Sequence, residues 1–236
     1  YWPPIPLISL AAPLREAGYD ILILDHKISQ EEIWNILEEN FDDLICFCVS
    51  ALTGYEIDDA LVMAERLKEG RPALPVVWGG WHASVLPQET LADPRVDIVS
   101  HGLGQKVIVP IVERLRDGIR CFRDLPKTIA TSEYNCDPIP ENTKPINEMN
   151  LGSVPLPAYD MLDLEFIRVE RLSSVRKKNA RGMVITGAVP VVTSFGCPFR
   201  CAYCCNPVVF GGSWGGYDVS SLVEQIVWLN EKGFNW

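Results

Sequence analysis

Positive charge is scarce in this 236-residue chain: 21 Lys and Arg stand against 31 Asp and Glu, a formal net charge of −10. A nucleic-acid partner needs a concentrated basic surface to neutralise phosphates, so this balance argues against one. The one basic stretch, Arg168 to Arg181, reads as a solvated connector. Long apolar runs are lacking as well. The longest uncharged run, 182–199, holds Pro190 and scattered Thr, Ser and Gly. A spanning helix needs about 20 predominantly apolar residues, so this run reads instead as two short strands entering a loop. No secretory signal is visible. The 8 cysteines therefore read as thiols of a reducing, cytoplasmic protein rather than as a disulfide scaffold. Histidine is limited to His26, His82 and His101.

Against this background the cysteines of one segment stand out. Cys197, Cys201 and Cys204 lie in the run Ser194-Phe-Gly-Cys-Pro-Phe-Arg-Cys-Ala-Tyr-Cys-Cys205, a C-x-x-x-C-x-x-C spacing. Three thiolates this close can hold three corners of a 4Fe–4S cluster and leave the fourth iron open. A structural zinc site would want four ligands, usually as two separated C-x-x-C pairs. Cys205 adjoins Cys204 and is poorly placed to complete a tetrahedron; the nearest histidine, His101, is far upstream. A ferredoxin would need a fourth ligating cysteine, and Cys121 and Cys136 lie well before the loop.

The spacing, Tyr203 before the third cysteine, and Gly196 and Pro198 around the first resemble the radical S-adenosylmethionine (radical SAM) family. The resemblance implies Cys197, Cys201 and Cys204 as cluster ligands, S-adenosylmethionine on the open iron, and Tyr203 beside its adenine. It also implies a low-potential electron donor of the flavodoxin or ferredoxin type, and a small-molecule substrate.

From about residue 6 to 118 short apolar runs alternate with amphipathic stretches. Strand-like runs are Ile21–Asp25, Asp43–Val49, Pro75–Trp78 and Asp97–Ser100, with helical patterns near 7–17, 30–40, 54–70 and 104–117. Ser29 suits an N-cap and Gly70 a helix stop. Apolar strands separated by helices predict an α/β domain, a doubly wound parallel sheet covered on both faces. Its ligand site belongs on the loops at the carboxyl ends of the strands. Cys46 and Cys48, at period two on such a strand, read as small core residues.

Those loops carry Ser50-Ala-Leu52-Thr53-Gly54 and Gly79-Gly80-Trp81-His82, with 26 residues between Leu52 and Gly79. This S-x-L to G-G spacing resembles the Rossmann-like cobalamin-binding domain that precedes many radical SAM cores. Glycines let backbone approach a bulky corrin, and Ser50 or Thr53 can supply a hydroxyl. Gly102 and Gly104 fall where relatives carry a Gly-Glu-Gly-Glu-like turn, here Gly-Leu-Gly-Gln. The familiar D-x-H-x-x-G motif is missing: residues 1–10 contain neither Asp nor His, and Asp25-His26-Lys27 has the wrong spacing. The resemblance therefore implies cobalamin without histidine on its lower face. His82 is either a corrin contact or structural, His101 is open between the same two roles, and His26 reads as a surface residue.

These features divide the chain into a cobalamin-binding domain (1–120), a linker (121–185) containing Val154-Pro-Leu-Pro-Ala-Tyr-Asp-Met-Leu-Asp163, and the start of a radical SAM core (186–236). Residues 208–217 read as a Gly-rich loop, followed by a helix capped by Ser220-Ser221. Only 32 residues follow Cys204, whereas a full (β/α) barrel takes about 250, so the chain reads as a fragment. The resemblance implies a cobalamin-dependent methyltransferase acting on an unactivated carbon through a 5′-deoxyadenosyl radical. The alternatives are a non-methylating rearrangement or cyclisation with the same cofactors, and a non-catalytic cobalamin- or iron–sulfur-binding module.

Overall fold

The computed structural model describes residues 2–25, 28–135, 151–174 and 182–235. His26, Cys136 and residues 175–181 of the basic stretch lie outside them. In chain order the helices are α1 (Ile5–Glu16), α2 (Gln30–Glu39), α3 (Tyr55–Gly70), α4 (Gly80–Val85), α5 (Pro87–Leu91), α6 (Ile108–Arg116), α7 (Leu164–Ser174), α8 (Asn206–Phe210) and α9 (Val219–Glu231). The strands are β1 (Phe47–Ser50), β2 (Val76–Gly79), β3 (Ile98–Ser100), β4 (Thr128–Ala130), β5 (Ser194–Gly196) and β6 (Trp214–Gly216). None of these helices is long and apolar enough to cross a membrane.

Two compact units share the chain, and neither is continuous in sequence: 30–149 joins 196–214, while 1–29 joins 150–195 and 215–236. The first of these holds the sheet, ordered β1-β2-β3-β4. β1, β2 and β3 are parallel, and β4 runs antiparallel to β3. The fold is α/β with a parallel sheet at its centre. Side chains alternate across it, as the period of a strand requires. Val77 and Ile98 join Ile111 and Phe122 in a core on one face; Val76, Trp78 and Val99 join Ala64 and Ala83 on the other. Both faces are thus covered, which accounts for strands that are apolar throughout.

Asp97 is a charged residue buried beside this core. It is buried, accepts two bonds from the Lys68 ammonium at 2.9 and 2.7 Å, and accepts the Val76 N–H at 2.8 Å. Asp97→Ala would leave a largely buried ammonium and a buried N–H without an acceptor. We expect a loss of about 2–4 kcal/mol, below the usual cost of breaking a fully buried pair because Lys68 retains some solvent. The denaturant midpoint measures it, and an unchanged midpoint would show that Lys68 finds water instead.

Three expectations are corrected here. Ile21–Asp25 forms no strand: it belongs with 1–29 in the other unit, where Ile23 packs on the core of Ile8, Tyr159 and Ile167. An extended segment becomes a strand only by bonding to a neighbour. Cys48 is exposed rather than a core residue, whereas half-buried Cys46 packs against the core of Val77 and Ile98; their Sγ atoms lie 3.7 Å apart. Their hydrogen bond, then burial, pushes the Cys46 thiol up. Cys121 is disulfide-bonded, contrary to the all-thiol reading.

In the other unit the Pro-rich landmark is part of a core. Tyr159 is buried, its hydroxyl donates to Pro190 O at 2.6 Å, and burial pushes its pKa up to about 12. Ala158 N donates to Ile8 O at 3.1 Å, and Gln225 Nε2 to Pro157 O at 3.0 Å. The cap of α9 is Asp218 rather than the serine pair: its carboxylate accepts Ser221 N at 3.0 Å. Residues 208–210, expected as the start of a Gly-rich loop, belong to α8, which ends at left-handed Gly211.

Candidate cofactor site

The carboxyl ends of β1, β2 and β3 deliver the three expected loops to one edge of the sheet. Ala51 N donates to Gly79 O at 3.3 Å, and His82 N donates to Ala51 O at 3.1 Å. These bonds lock Ser50–Gly54 onto the Gly79–His82 turn. Gly80 makes this approach possible. Its φ is +86°, and a Cβ there would lie 2.8 Å from both Ala51 N and Ala51 O. Gly79 is under no such demand, since its Cβ would meet Ser100 O at an ordinary 3.5 Å, and a Cβ on Gly54 would meet nothing.

His82 is on α4, where its Nδ1 lies 3.1 Å from Thr53 Oγ1. That bond occupies one ring nitrogen and fixes the ring against the Ser50–Gly54 loop. Leu52 is exposed, and its N–H donates to the Glu56 carboxylate at 3.1 Å. The third loop is joined by a residue that sequence reading passed over. Ser84 Oγ donates to Gly80 O at 2.6 Å and accepts Gly102 N at 2.9 Å. Gly102 is left-handed (φ +94°), and Gly104 opens a short 3₁₀ turn, 104–106. His101 is half-buried; burial first, and the charge of Lys127 second, push its pKa down, which keeps it neutral near pH 7. At the end of β3, Ser100 Oγ is buried with no hydrogen-bond partner among the described residues. A polar ligand group at this edge would satisfy it. The lattice of loops, open backbone and an orphaned hydroxyl fits a bulky polar cofactor. A cavity of about 320 Å³ lined by Asp42, Arg71, Arg116 and Tyr134 shares no residue with these loops.

The cysteine turn belongs to the same compact unit as the sheet. Gly196 enters it with φ +82°, a conformation that favours glycine. Cys197 and Cys204 are half-buried, Cys201 is exposed, and all three are free thiols. Cys204 N donates to Cys201 O at 3.1 Å, which closes the turn. By donor chemistry, three free thiols on one turn fit an iron–sulfur cluster. Among the described residues no three His, Cys, Asp or Glu side chains converge as a metal-holding group. Ligation thus requires side-chain rotation, which the exposed Cys201 permits. Tyr203 is 93% exposed beside it. Cys205 is exposed and precedes α8, with its carbonyl accepting Val208 N and Val209 N.

Comparison with known proteins agrees with this layout. Residues 1–111 match the B12-binding domain family. The uncharacterized methyltransferase PH0819 of Pyrococcus horikoshii is 29% identical over 95% of this chain and 45% of its own length. The anaerobic magnesium-protoporphyrin IX monomethyl ester cyclase of Synechocystis is 27% identical over 97% of this chain and 42% of its own. A solved structure of the radical S-adenosylmethionine methyltransferase TsrM from Kitasatospora setae, with cobalamin and a [4Fe-4S] cluster bound, superposes with a TM-score of 0.68. It is 18% identical, with coverage of 99% of this chain and 44% of TsrM. The chain spans less than half the length of each. Residues 1–111 are thus similar to a B12-binding domain, and the fold of the chain is α/β.

Proposed function

We propose that the full-length protein is a cobalamin-dependent radical SAM enzyme that methylates an unactivated carbon. The observation that carries this reading is the placement of three free thiols in C-x-x-x-C-x-x-C spacing within the compact unit that holds the sheet-edge loops. The names of PH0819 and TsrM as methyltransferases support it. Cys197, Cys201 and Cys204 would hold the cluster, and Tyr203 would flank S-adenosylmethionine. Ser50, Leu52, Thr53, Gly54, Gly79, Gly80, His82, Gly102 and Gly104 would hold the corrin. When bound, these cofactors supply a 5′-deoxyadenosyl radical and a transferable methyl group. The chain's own share is placement. Backbone at Gly79 and Gly80 admits the macrocycle, and the Ser50 or Thr53 hydroxyl donates to it. A low-potential flavodoxin- or ferredoxin-like protein would deliver electrons. The proposed functional division of the chain is cobalamin binding in 1–120, a linker in 121–185 and the start of the radical core in 186–236; it cuts across the two compact units, since 1–29 groups with 150–195 and the cysteine turn with the sheet.

The lower face of the corrin would carry no protein histidine, because residues 1–10, where the D-x-H-x-x-G motif would fall, contain neither Asp nor His. Anaerobically reconstituted full-length protein, given reductant and S-adenosylmethionine with a deuterated methyl group, is expected to release 5′-deoxyadenosine and to label bound cobalamin. Its cob(II)alamin resonance should show no nitrogen splitting from histidine. Full cluster loading without deoxyadenosine would overturn the enzymatic reading. A second reading, ring formation with the same cofactors, is favoured by the likeness to the Synechocystis cyclase; deoxyadenosine without label transfer to any acceptor would select it.

A further inference from the structure

We propose that Lys127 and Trp81 are positioning residues that clasp the helix behind the cysteine turn onto the sheet, and so set the distance between cluster and corrin. The proposal rests on the cofactor reading above.

Lys127 is the one non-glycine among the described residues with positive φ, at +48°. A left-handed lysine is strained, and such strain persists only where surrounding contacts hold it. Two contacts do so here. Its carbonyl accepts His101 N at 2.8 Å, which fastens it to the end of β3 beside the Gly102–Gly104 loop. Its ammonium donates to Val209 O at 2.9 Å, across 82 residues of sequence. Val209 is near the end of α8, where helix carbonyls lack partners of their own, so a lysine cation is well matched to it.

Trp81 supplies the second point. On α4, next to the Gly80 approach to Ala51 and one residue before His82, its ring meets Phe210 edge-to-face at 5.7 Å and 87°. Val209 and Phe210 are both buried. α8 begins two residues after Cys204, and the Cys205 carbonyl is bonded into it. One clasp point therefore leads to each of two corrin loops, and both converge on the short helix carrying the cysteine turn. Neither contact touches a reacting atom. Transfer between two cofactors is sensitive to displacements of about 1 Å, which can cost on the order of 100-fold.

The test uses full-length protein and the variants Lys127→Met, Lys127→Gly, Lys127→Arg, Trp81→Leu and Trp81→Phe. Lys127→Gly removes the ammonium while relieving the backbone strain, so loss of fold cannot explain its effect. Two readouts are taken. Hydrogen exchange of amides 205–210 in the cofactor-free protein is expected to rise about 10-fold or more in the Met, Gly and Leu variants, and to stay near wild type in Arg and Phe. Pulsed dipolar resonance between the reduced cluster and cob(II)alamin is expected to give one narrow distance in wild type and a broadened one in the same three variants. Product formed per deoxyadenosine should fall with it while cluster content holds. Unchanged exchange in both Lys127→Gly and Trp81→Leu would overturn the clasp. If the wild type instead fails to bind cluster or cobalamin, the cofactor reading fails, and the exchange experiment still judges the clasp.

Discussion

Replacing Cys197, Cys201 or Cys204 by Ala is expected to abolish the iron–sulfur cluster and every activity that depends on it. Reconstituted wild type should hold about four iron atoms per chain, with thiolate-to-iron charge-transfer absorption. With only three protein ligands, loss of one leaves two, which cannot retain a cubane against exchange. Cys205→Ala should keep both iron and absorption. Its backbone is committed to α8, and its neighbour Cys204 is the residue whose amide closes the turn onto Cys201. Iron content and visible spectra, measured anaerobically, decide the matter. A cluster that survives Cys204→Ala but not Cys205→Ala would shift the ligand register by one residue.

Gly80→Val is expected to lose cobalamin binding together with stability. The left-handed backbone at φ +86° is unfavourable for any side chain and most so for a β-branched one, a cost of about 1–3 kcal/mol. Its Cβ would also meet the Ala51 backbone at 2.8 Å, and neither partner is a flexible side-chain end that can move aside. The Ser50–Gly54 loop should separate from the Gly79–His82 turn. Gly79→Ala provides the contrast. A Cβ there is in ordinary contact with Ser100 O at 3.5 Å, so stability should hold, while a corrin resting on that backbone should bind about 10-fold or more weakly. His82→Ala removes only the bond to Thr53 and should weaken binding little. Urea midpoints and spectrophotometric cobalamin titration separate these effects. Unaltered binding by Gly79→Ala would move the corrin off the β2 turn.

Much of this site was legible in the sequence because its signals are local. Cysteine spacing within eight residues, an S-x-L and a G-G pair after apolar runs, and helical periodicity near 30–40 and 54–70 each need only neighbouring residues to be read. The helices fall at Gln30–Glu39 and Tyr55–Gly70. Where local pattern and long-range pairing disagree, the pattern misleads. Ile21–Asp25 has the composition of a strand, yet it pairs into neither sheet among the described residues. β4, with only Thr128–Ala130, is too short to show a period at all.

What the sequence alone determined is the set of candidates: three thiols in C-x-x-x-C-x-x-C spacing, the small-residue loops that end apolar runs, and the lack of a D-x-H-x-x-G motif in residues 1–10. What only the tertiary structure decided is how those parts are held. Ser84 accepting the Gly102 amide, Lys127 reaching Val209, Trp81 meeting Phe210, and the Gly80 approach to Ala51 join residues from 18 to 129 positions apart. Contacts at such separation carry no periodicity or spacing in the chain, because they depend on where the sheet has already brought the backbone.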